Sequence, residues 1–485
     1  MTGEHQLKEK VAKGLLWGGL NNGSLQILNL IIGIFLARLL TPADYGMVGV
    51  LAVFSAIAAV LQEGGFISAL TNRRNADEKD YNAVFWFSTL CGVFFYIVLF
   101  IASPLIADFY GIPQLTALAR FIFIGFLISS LNVAPRAVLY KNMRVKEMSV
   151  ASIVSLSLSG FTGIYLAYNG WSYWGLAWQQ VIYILSSTIF TYYFAGWYPK
   201  LNFSFRPIKE MIGYSSLLVV TNVFNILNNN IFSILLGRFY SAADVGDYTQ
   251  ANKWNTMATY TISGMLHGVT QPSFARTSDD IYRQVNIMRK LVRFTAFITF
   301  PALLGLSFIA HDFIIITITD KWNDSAYILS ILCLGGIAAP FFNIFSNLVL
   351  SQGKSAAYMW CTIALALSQM LAVYLSYRFG LITMLWIYIS INILWIYVWH
   401  FIASKIIPLK FIHFLCDIAP YLITAAGAIV ITYFICQSIE TVLLSLLVKI
   451  TLVATIYFVI LWIGGSVILK ETVGFITNKF RAHHS

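Results

Sequence analysis

Ile34-Phe-Leu-Ala-Arg38-Leu-Leu-Thr41-Pro42-Ala43-Asp44-Tyr45-Gly46 returns, 200 residues on, as Ile234-Leu-Leu-Gly-Arg238-Phe-Tyr-Ser241-Ala242-Ala243-Asp244-Val245-Gly246. Ile34/Ile234, Leu36/Leu236, Arg38/Arg238, Ala43/Ala243, Asp44/Asp244 and Gly46/Gly246 are identical. The register runs back through Asn22/Asn222 and Asn29/Asn229, and forward to Gly64/Gly264. Shared apolar letters arise easily by chance in an apolar chain. Shared Asn, Arg, Asp and Gly at one fixed spacing do not, so the chain reads as two copies of one unit.

Composition says what the unit is made of. Of 485 residues 59% are hydrophobic and only 11% charged, with mean hydropathy +0.75. Soluble domains carry about 25% charged residues, so lipid rather than water is the expected solvent. Apolar runs of about 20 residues recur along the chain, each long enough to cross about 30 Å of hydrocarbon as a helix. They are continuous and do not alternate in period two, which excludes a barrel. About fourteen spans are expected, near 12–37, 45–70, 82–106, 114–134, 148–168, 172–196, 212–236, 248–270, 291–311, 325–350, 356–377, 381–403, 418–437 and 450–469. The polar stretch 271–290 is too short to be a soluble domain, and a loop is expected over 271–293.

Six spans separate the two copies. An even number leaves both in the same orientation, a parallel repeat about an axis along the membrane normal. A weaker echo, Tyr168-Asn169-Gly170 against Tyr377-Arg378-Phe379-Gly380, supports it. The expected fold is an all-α membrane protein: a six-helix lobe over 1–200, a second over 201–410, then two extra helices and a cytoplasmic tail over 411–485. In such transporters the substrate site lies centrally, between the repeats.

The net charge of +11 follows topology rather than nucleic acid. With the N-terminus inside, 24 of the 31 Lys and Arg fall on the cytoplasmic side, in clusters such as Arg136/Lys141/Arg144/Lys146 and Arg276/Arg283/Arg289/Lys290/Arg293. That asymmetry puts both termini in the cytoplasm. The exceptions are Arg38, Arg120, Arg238, Lys253, Lys321, Arg378 and Lys449. The five Cys lie within apolar runs without metal-ligand spacing and read as filler. His267, His311, His400 and His413 likewise show no pairing that suggests a metal.

Thr41-x-x-Asp44 and Ser241-x-x-Asp244 read as helix-start boxes, in which the hydroxyl caps free amides and the acid favours the positive helix end. Arg38 and Arg238, six residues earlier, either pair with those acids, snorkel to the interface, or line a cavity. Arg120 and Lys253 fall inside spans, where ionisable groups are costly and usually face protein or a watery path. A cationic path implies an anionic cargo, and Arg in particular suits phosphate. Glu63 either carries a coupling proton, pairs with a cation, or marks the interface. Asn22, Asn29, Asn222, Asn225 and Asn229 recur at helical spacing and serve either sugar hydroxyls or helix packing. There is no G-x-x-x-x-G-K-[ST] loop, so no ATP-driven pump is indicated, and no nucleophile constellation to suggest an enzyme.

Across Ala37-Arg-Leu-Leu-Thr-Pro-Ala-Asp-Tyr-Gly46 the chain resembles the polysaccharide transporter family of the multidrug/oligosaccharidyl-lipid/polysaccharide exporter superfamily. Leu7-Lys-Glu-Lys-Val-Ala-Lys-Gly-Leu-Leu-Trp17 is similar to that family's opening. Pro135-Arg136, Met143-Arg144-Val-Lys146 and Gln271-Pro272-Ser-Phe-Ala-Arg276 are similar to its cytoplasmic loops. The resemblance implies a Wzx-type flippase in the bacterial inner membrane, moving undecaprenyl-diphosphate-linked oligosaccharide repeat units outward by alternating access for surface polysaccharide synthesis. It further implies no cofactor, a drive from H+ or Na+ coupling or from membrane potential, and bilayer lipids and polysaccharide polymerase machinery as partners of a monomer. Cationic cavities in that group fit a diphosphate, in agreement with the Arg and Lys named above. The rival on the same scaffold is a multidrug or metabolite cation antiporter, which would need a carboxylate-lined cavity; the acids for one are few here.

Overall fold

The computed structural model describes residues 23–471 apart from 64, 74, 75, 201–205, 276, 278 and 279. Its regular structure there is helical throughout, and Cα packing divides it at Thr249/Gln250 into two units.

The first unit holds α1 (Gly23–Leu39), α2 (Pro42–Glu63), α3 (Phe66–Asn72), α4 (Glu78–Tyr110), α5 (Leu115–Ile122), α6 (Ile124–Lys141), α7 (Val145–Tyr168), α8 (Tyr173–Ala195), α9 (Arg206–Phe239) and the start of α10 (Ala242–Ala275). Local chemistry sets the boundaries. Asp77 starts α4 with a capping box: its Oδ1 accepts from the amides of Lys79 and Asp80 at 3.0 Å, while Asp80 accepts from the Asp77 amide at 3.1 Å. Gly111 ends α4 at φ 69°, a left-handed turn that L side chains resist. A small core gathers α3, α4, α6 and α9 around Phe66, Leu70, Val84, Val133 and Ile208.

The second unit holds the rest of α10, then α11 (Ile281–Ile318), α12 (Asn323–Gly336), α13 (Ala338–Ser351), α14 (Ser355–Ser376), α15 (Leu381–Ser404), α16 (Phe411–Cys436) and α17 (Val442–Ile463). Its core is aromatic: Phe297, Phe300, Phe341, Phe345, Phe414 and Tyr457 interlock, and the buried Tyr457 hydroxyl donates to the Phe297 carbonyl at 2.9 Å. On the outer faces Leu105 and Ile423 stand 69% exposed, as a lipid solvent requires.

Ten described segments are long and apolar enough to cross a membrane: α2, α4, α5/α6, α7, α11, α12/α13, α14, α15, α16 and α17. Four expected spans, 12–37, 172–196, 212–236 and 248–270, correspond to α1, α8, α9 and α10, which are helical but fall short of that mark. The first is described only from Gly23; the others carry too much polarity, Gln179 and Gln180 in α8, five Asn over 222–230 in α9, and Asp247, Gln250 and Lys253 in α10. The expected loop over 271–293 is largely helix. α10 runs on to Ala275 and α11 begins at Ile281, where Asp280 accepts from the Arg283 amide at 3.0 Å. The buried stripe Gln284, Met288 and Val292 has the i, i+4 spacing of a packed helix, which hydropathy averaging conceals.

Candidate functional site

The repeated motif builds one corner twice. In the first copy the Thr41 amide and hydroxyl both donate to Asp44 Oδ2, at 2.9 and 2.7 Å, and the Asp44 amide donates to Thr41 Oγ1 at 3.3 Å. In the second, the Ser241 amide and hydroxyl donate to Asp244 Oδ2 at 2.9 and 2.6 Å, and the Asp244 amide donates to Ser241 Oγ at 3.2 Å. Both acids are helix caps, as the spacing indicates.

Two turns of helix then meet through these copies. A Cβ on Gly46 would lie 1.7 Å from the Ala242 carbonyl oxygen, and one on Gly246 would lie 1.8 Å from the Pro42 carbonyl oxygen. The contact is reciprocal, backbone on backbone, and only a hydrogen fits. One turn on, Gly49 admits Thr249 Oγ1 at 3.0 Å from its would-be Cβ. Gly237, in α9, is the slot for Val50 and Tyr110.

The four cations singled out by sequence have separate surroundings. Arg38 is exposed at the end of α1. Arg238, also exposed, donates to the Phe109 carbonyl at the end of α4 and sits 5.0 Å over the Phe109 ring. Its charge thereby faces the negative end of that helix. Arg120 lies 4.3 Å over the Phe100 ring, with a buried Nε that has no hydrogen-bond partner among the described residues. Lys253 is half-buried on α10 beside the buried Trp254. Glu63, about half exposed, lies 3.7 Å from Arg136. Asn22 is outside the described residues; Asn29, Asn222 and Asn229 are exposed and Asn225 half-buried.

More informative are polar groups that the sequence reading passed over. Asn228 Oδ1 on α9, with Thr249 Oγ1, both amide atoms of Gln250 and Asn255 Oδ1 on α10, are buried without a hydrogen-bond partner among the described residues. Such groups cost about 1–3 kcal/mol each when left dry, and among the described residues α10 carries more of them than any other helix. The available signal was spacing, since Gln250 and Lys253 lie three apart on one helix face.

A second polar feature lies wholly in the first unit: a cavity of about 560 Å³ between α1, α6, α7 and α8, where Asn132, Arg136, Ser149, Ser152, Ser187 and Thr191 line it. In the second unit several charges are paired across helices. Arg289 meets Asp417 through two bonds, of 2.7 and 3.0 Å, and Arg293 donates to the same carboxylate at 2.6 Å, fastening α16 to α11. Lys449 of α17 donates to Asp312 of α11 at 2.7 Å.

Comparison with known proteins bears on this geometry. The family described as Polysaccharide biosynthesis protein matches residues 35–327, which begin just before the first corner and include the second. The chain is 25% identical over 439 residues to the teichuronic acid biosynthesis protein TuaB of Bacillus subtilis, covering 87% of this chain and 89% of that protein. It is 24% identical over 355 residues to the lipopolysaccharide biosynthesis protein WzxC of Escherichia coli, covering 72% and 71%. Among solved structures, the lipid II flippase MurJ in an inward closed conformation has the same fold, with TM-score 0.70 at 15% identity over 92% of this chain and 99% of that one.

Proposed function

The chain belongs to the polysaccharide biosynthesis protein family, and from that premise we propose that it is a flippase for undecaprenyl-diphosphate-linked oligosaccharide repeat units. It is a multi-pass membrane transporter and not an enzyme. In this reading it lies in the inner membrane with fourteen spans, two parallel six-helix copies over 1–200 and 201–410, two extra helices, and both termini in the cytoplasm.

One observation carries the reading. The buried amides and hydroxyl of α9 and α10 have no partner among the described residues, and α9 and α10 fall below the hydropathy of a lipid-facing span. Helices of that kind line a polar route, and a glycan head needs one, because its hydroxyls cannot cross hydrocarbon bare. The prenyl tail stays in lipid. Arg38 and Arg238 take the diphosphate, a role suited to forked donors, with Arg120 and Lys253 as further cations. The amides of Asn22, Asn29, Asn222, Asn225 and Asn229 serve the sugars. An inside-negative potential favours outward passage of the anionic head by roughly 2.3 kcal/mol per charge per 100 mV. H+ or Na+ coupling through Glu63 is the alternative drive that the same residues permit.

Native mass spectrometry of the purified protein with its co-purified lipids tests this. A bound polyprenyl-diphosphate glycan is expected, and its loss in an Arg38→Ala/Arg238→Ala variant that remains folded. Binding of small cations in its place would move the protein to the antiporter class. Undiminished glycan export by the double variant would remove the phosphate role.

A further inference from the structure

We propose that the cavity between α1, α6, α7 and α8 binds one glycosyl unit bearing a carboxylate or phosphate, and that Arg136 takes the anion. The inference rests on the reading of the cargo as a lipid-linked oligosaccharide and adds a second recognition site to it.

The cavity is preformed. The Tyr192 hydroxyl donates to the Leu131 carbonyl at 3.0 Å, which ties α8 to α6. Gly175 sets α8 close against α7, where its Cβ would lie 3.2 Å from the Gly163 carbonyl oxygen and from the Ala167 amide nitrogen. About 560 Å³ falls within the range of about 300–1,000 Å³ usual for small-molecule sites.

Its chemistry selects the ligand. Ser149 and Ser152 donate to the carbonyls of Val145 and Met148, at 2.8 and 2.9 Å, so toward the cavity they offer acceptor lone pairs. Asn132 Oδ1, buried and without a partner among the described residues, is a further acceptor. Ser187 and Thr191 add hydroxyls on successive turns of α8. A wall rich in acceptors fits a ligand rich in donors, and a polyhydroxylated ring is such a ligand. Arg136 is the one charged side chain among the described lining residues. It forms an ion pair with Glu63 at 3.7 Å, which offsets part of its charge but is too long for a hydrogen bond, so the guanidinium N–H groups remain donors for an anion. A prenyl chain would strand the polar wall. The cavity lies beside the turn between α6 and α7, the end that the positive-inside pattern puts in the cytoplasm, where cargo loads.

Saturation-transfer NMR on the full chain in nanodiscs, with methyl β-glucuronide and methyl β-glucoside as probes, tests the site. The glucuronide should bind about tenfold better than the glucoside, the weight of one charge-assisted contact. Arg136→Gln should erase that preference, and Ser187→Phe, which fills the cavity, should remove both signals. A preference that survives Arg136→Gln, glycoside signals that survive Ser187→Phe, or no signal from either sugar on the wild-type protein would each overturn the proposal. Arg136 is half exposed, so its variant folds and decides the matter even where Ser187→Phe does not. The probes carry no lipid, so this result is independent of the cargo reading. Loss of co-purified glycan in the Arg38/Arg238 variant with unchanged glucuronide binding would keep the two sites distinct.

Discussion

The two copies of the motif share their backbone chemistry and differ in what surrounds it. Both acids cap their helix with the same three hydrogen bonds, and both glycines admit the other copy's carbonyl. Around them the copies diverge. Asp44 is buried and also accepts from the Ser172 hydroxyl, whereas Asp244 is half-buried and no such third donor is found among the described residues. Proline opens α2 and alanine opens α10. What the two copies of the motif share is therefore what crossing backbones require; where they differ, their neighbours differ.

The strongest break of that comparison is at the glycines. Gly46→Ala and Gly246→Ala each force a methyl into a carbonyl, which is backbone and cannot rotate aside as a side chain can. Each should cost about 3 kcal/mol, the upper end of overpacking, seen as a lowered thermal midpoint in detergent. Equal losses would sharpen the symmetry; a tolerant Gly246→Ala beside an intolerant Gly46→Ala would break it. Gly264→Ala is the control, because nothing lies within 4 Å of its would-be Cβ. It should be neutral or stabilise by up to about 1 kcal/mol.

The caps come next. Asp244→Ala should cost about 1 kcal/mol, the usual weight of a lost cap. Asp44→Ala should cost about 2 kcal/mol, because it also leaves the Ser172 hydroxyl without its acceptor. Equal costs would mean that Ser172 contributes nothing and that burial alone separates the copies.

Much of this was legible in the letters. Lipid as solvent, helices as elements and the doubled caps follow from hydropathy and from S/T-x-x-D, signals that are local. Gly46 and Gly246 were visible as a shared letter, but not as mates, because nothing in a sequence says that two glycines 200 residues apart meet. The cations were recognisable by type at membrane depth; their surroundings depend on helix rotation, which hydropathy does not set. Thus Arg238 lies on Phe109, and Arg136, counted only as a topological charge, lines a cavity. The 281–290 helix was missed because its buried face is a narrow stripe in polar sequence. Asp417 offered no local signal at all: its partners are more than 120 residues away.

The smallest effect separates the copies most cleanly. Ser172 holds φ 50°, a left-handed conformation that suits glycine better than serine, while its hydroxyl bonds Asp44. Ser172→Ala keeps the unfavourable backbone and loses the bond, and should cost about 1 kcal/mol. Ser172→Gly loses the same bond but relieves the backbone by a similar amount, so the net change should be within about 0.5 kcal/mol. In a double-mutant cycle, Ser172→Ala and Asp44→Ala should couple by about 1 kcal/mol, while Ser172→Ala and Asp244→Ala should simply add. Coupling to both acids would mean that the two corners act as one element through the glycine contact. Coupling to neither would leave the identical caps as all that stabilises either copy, and the difference in burial without energetic consequence.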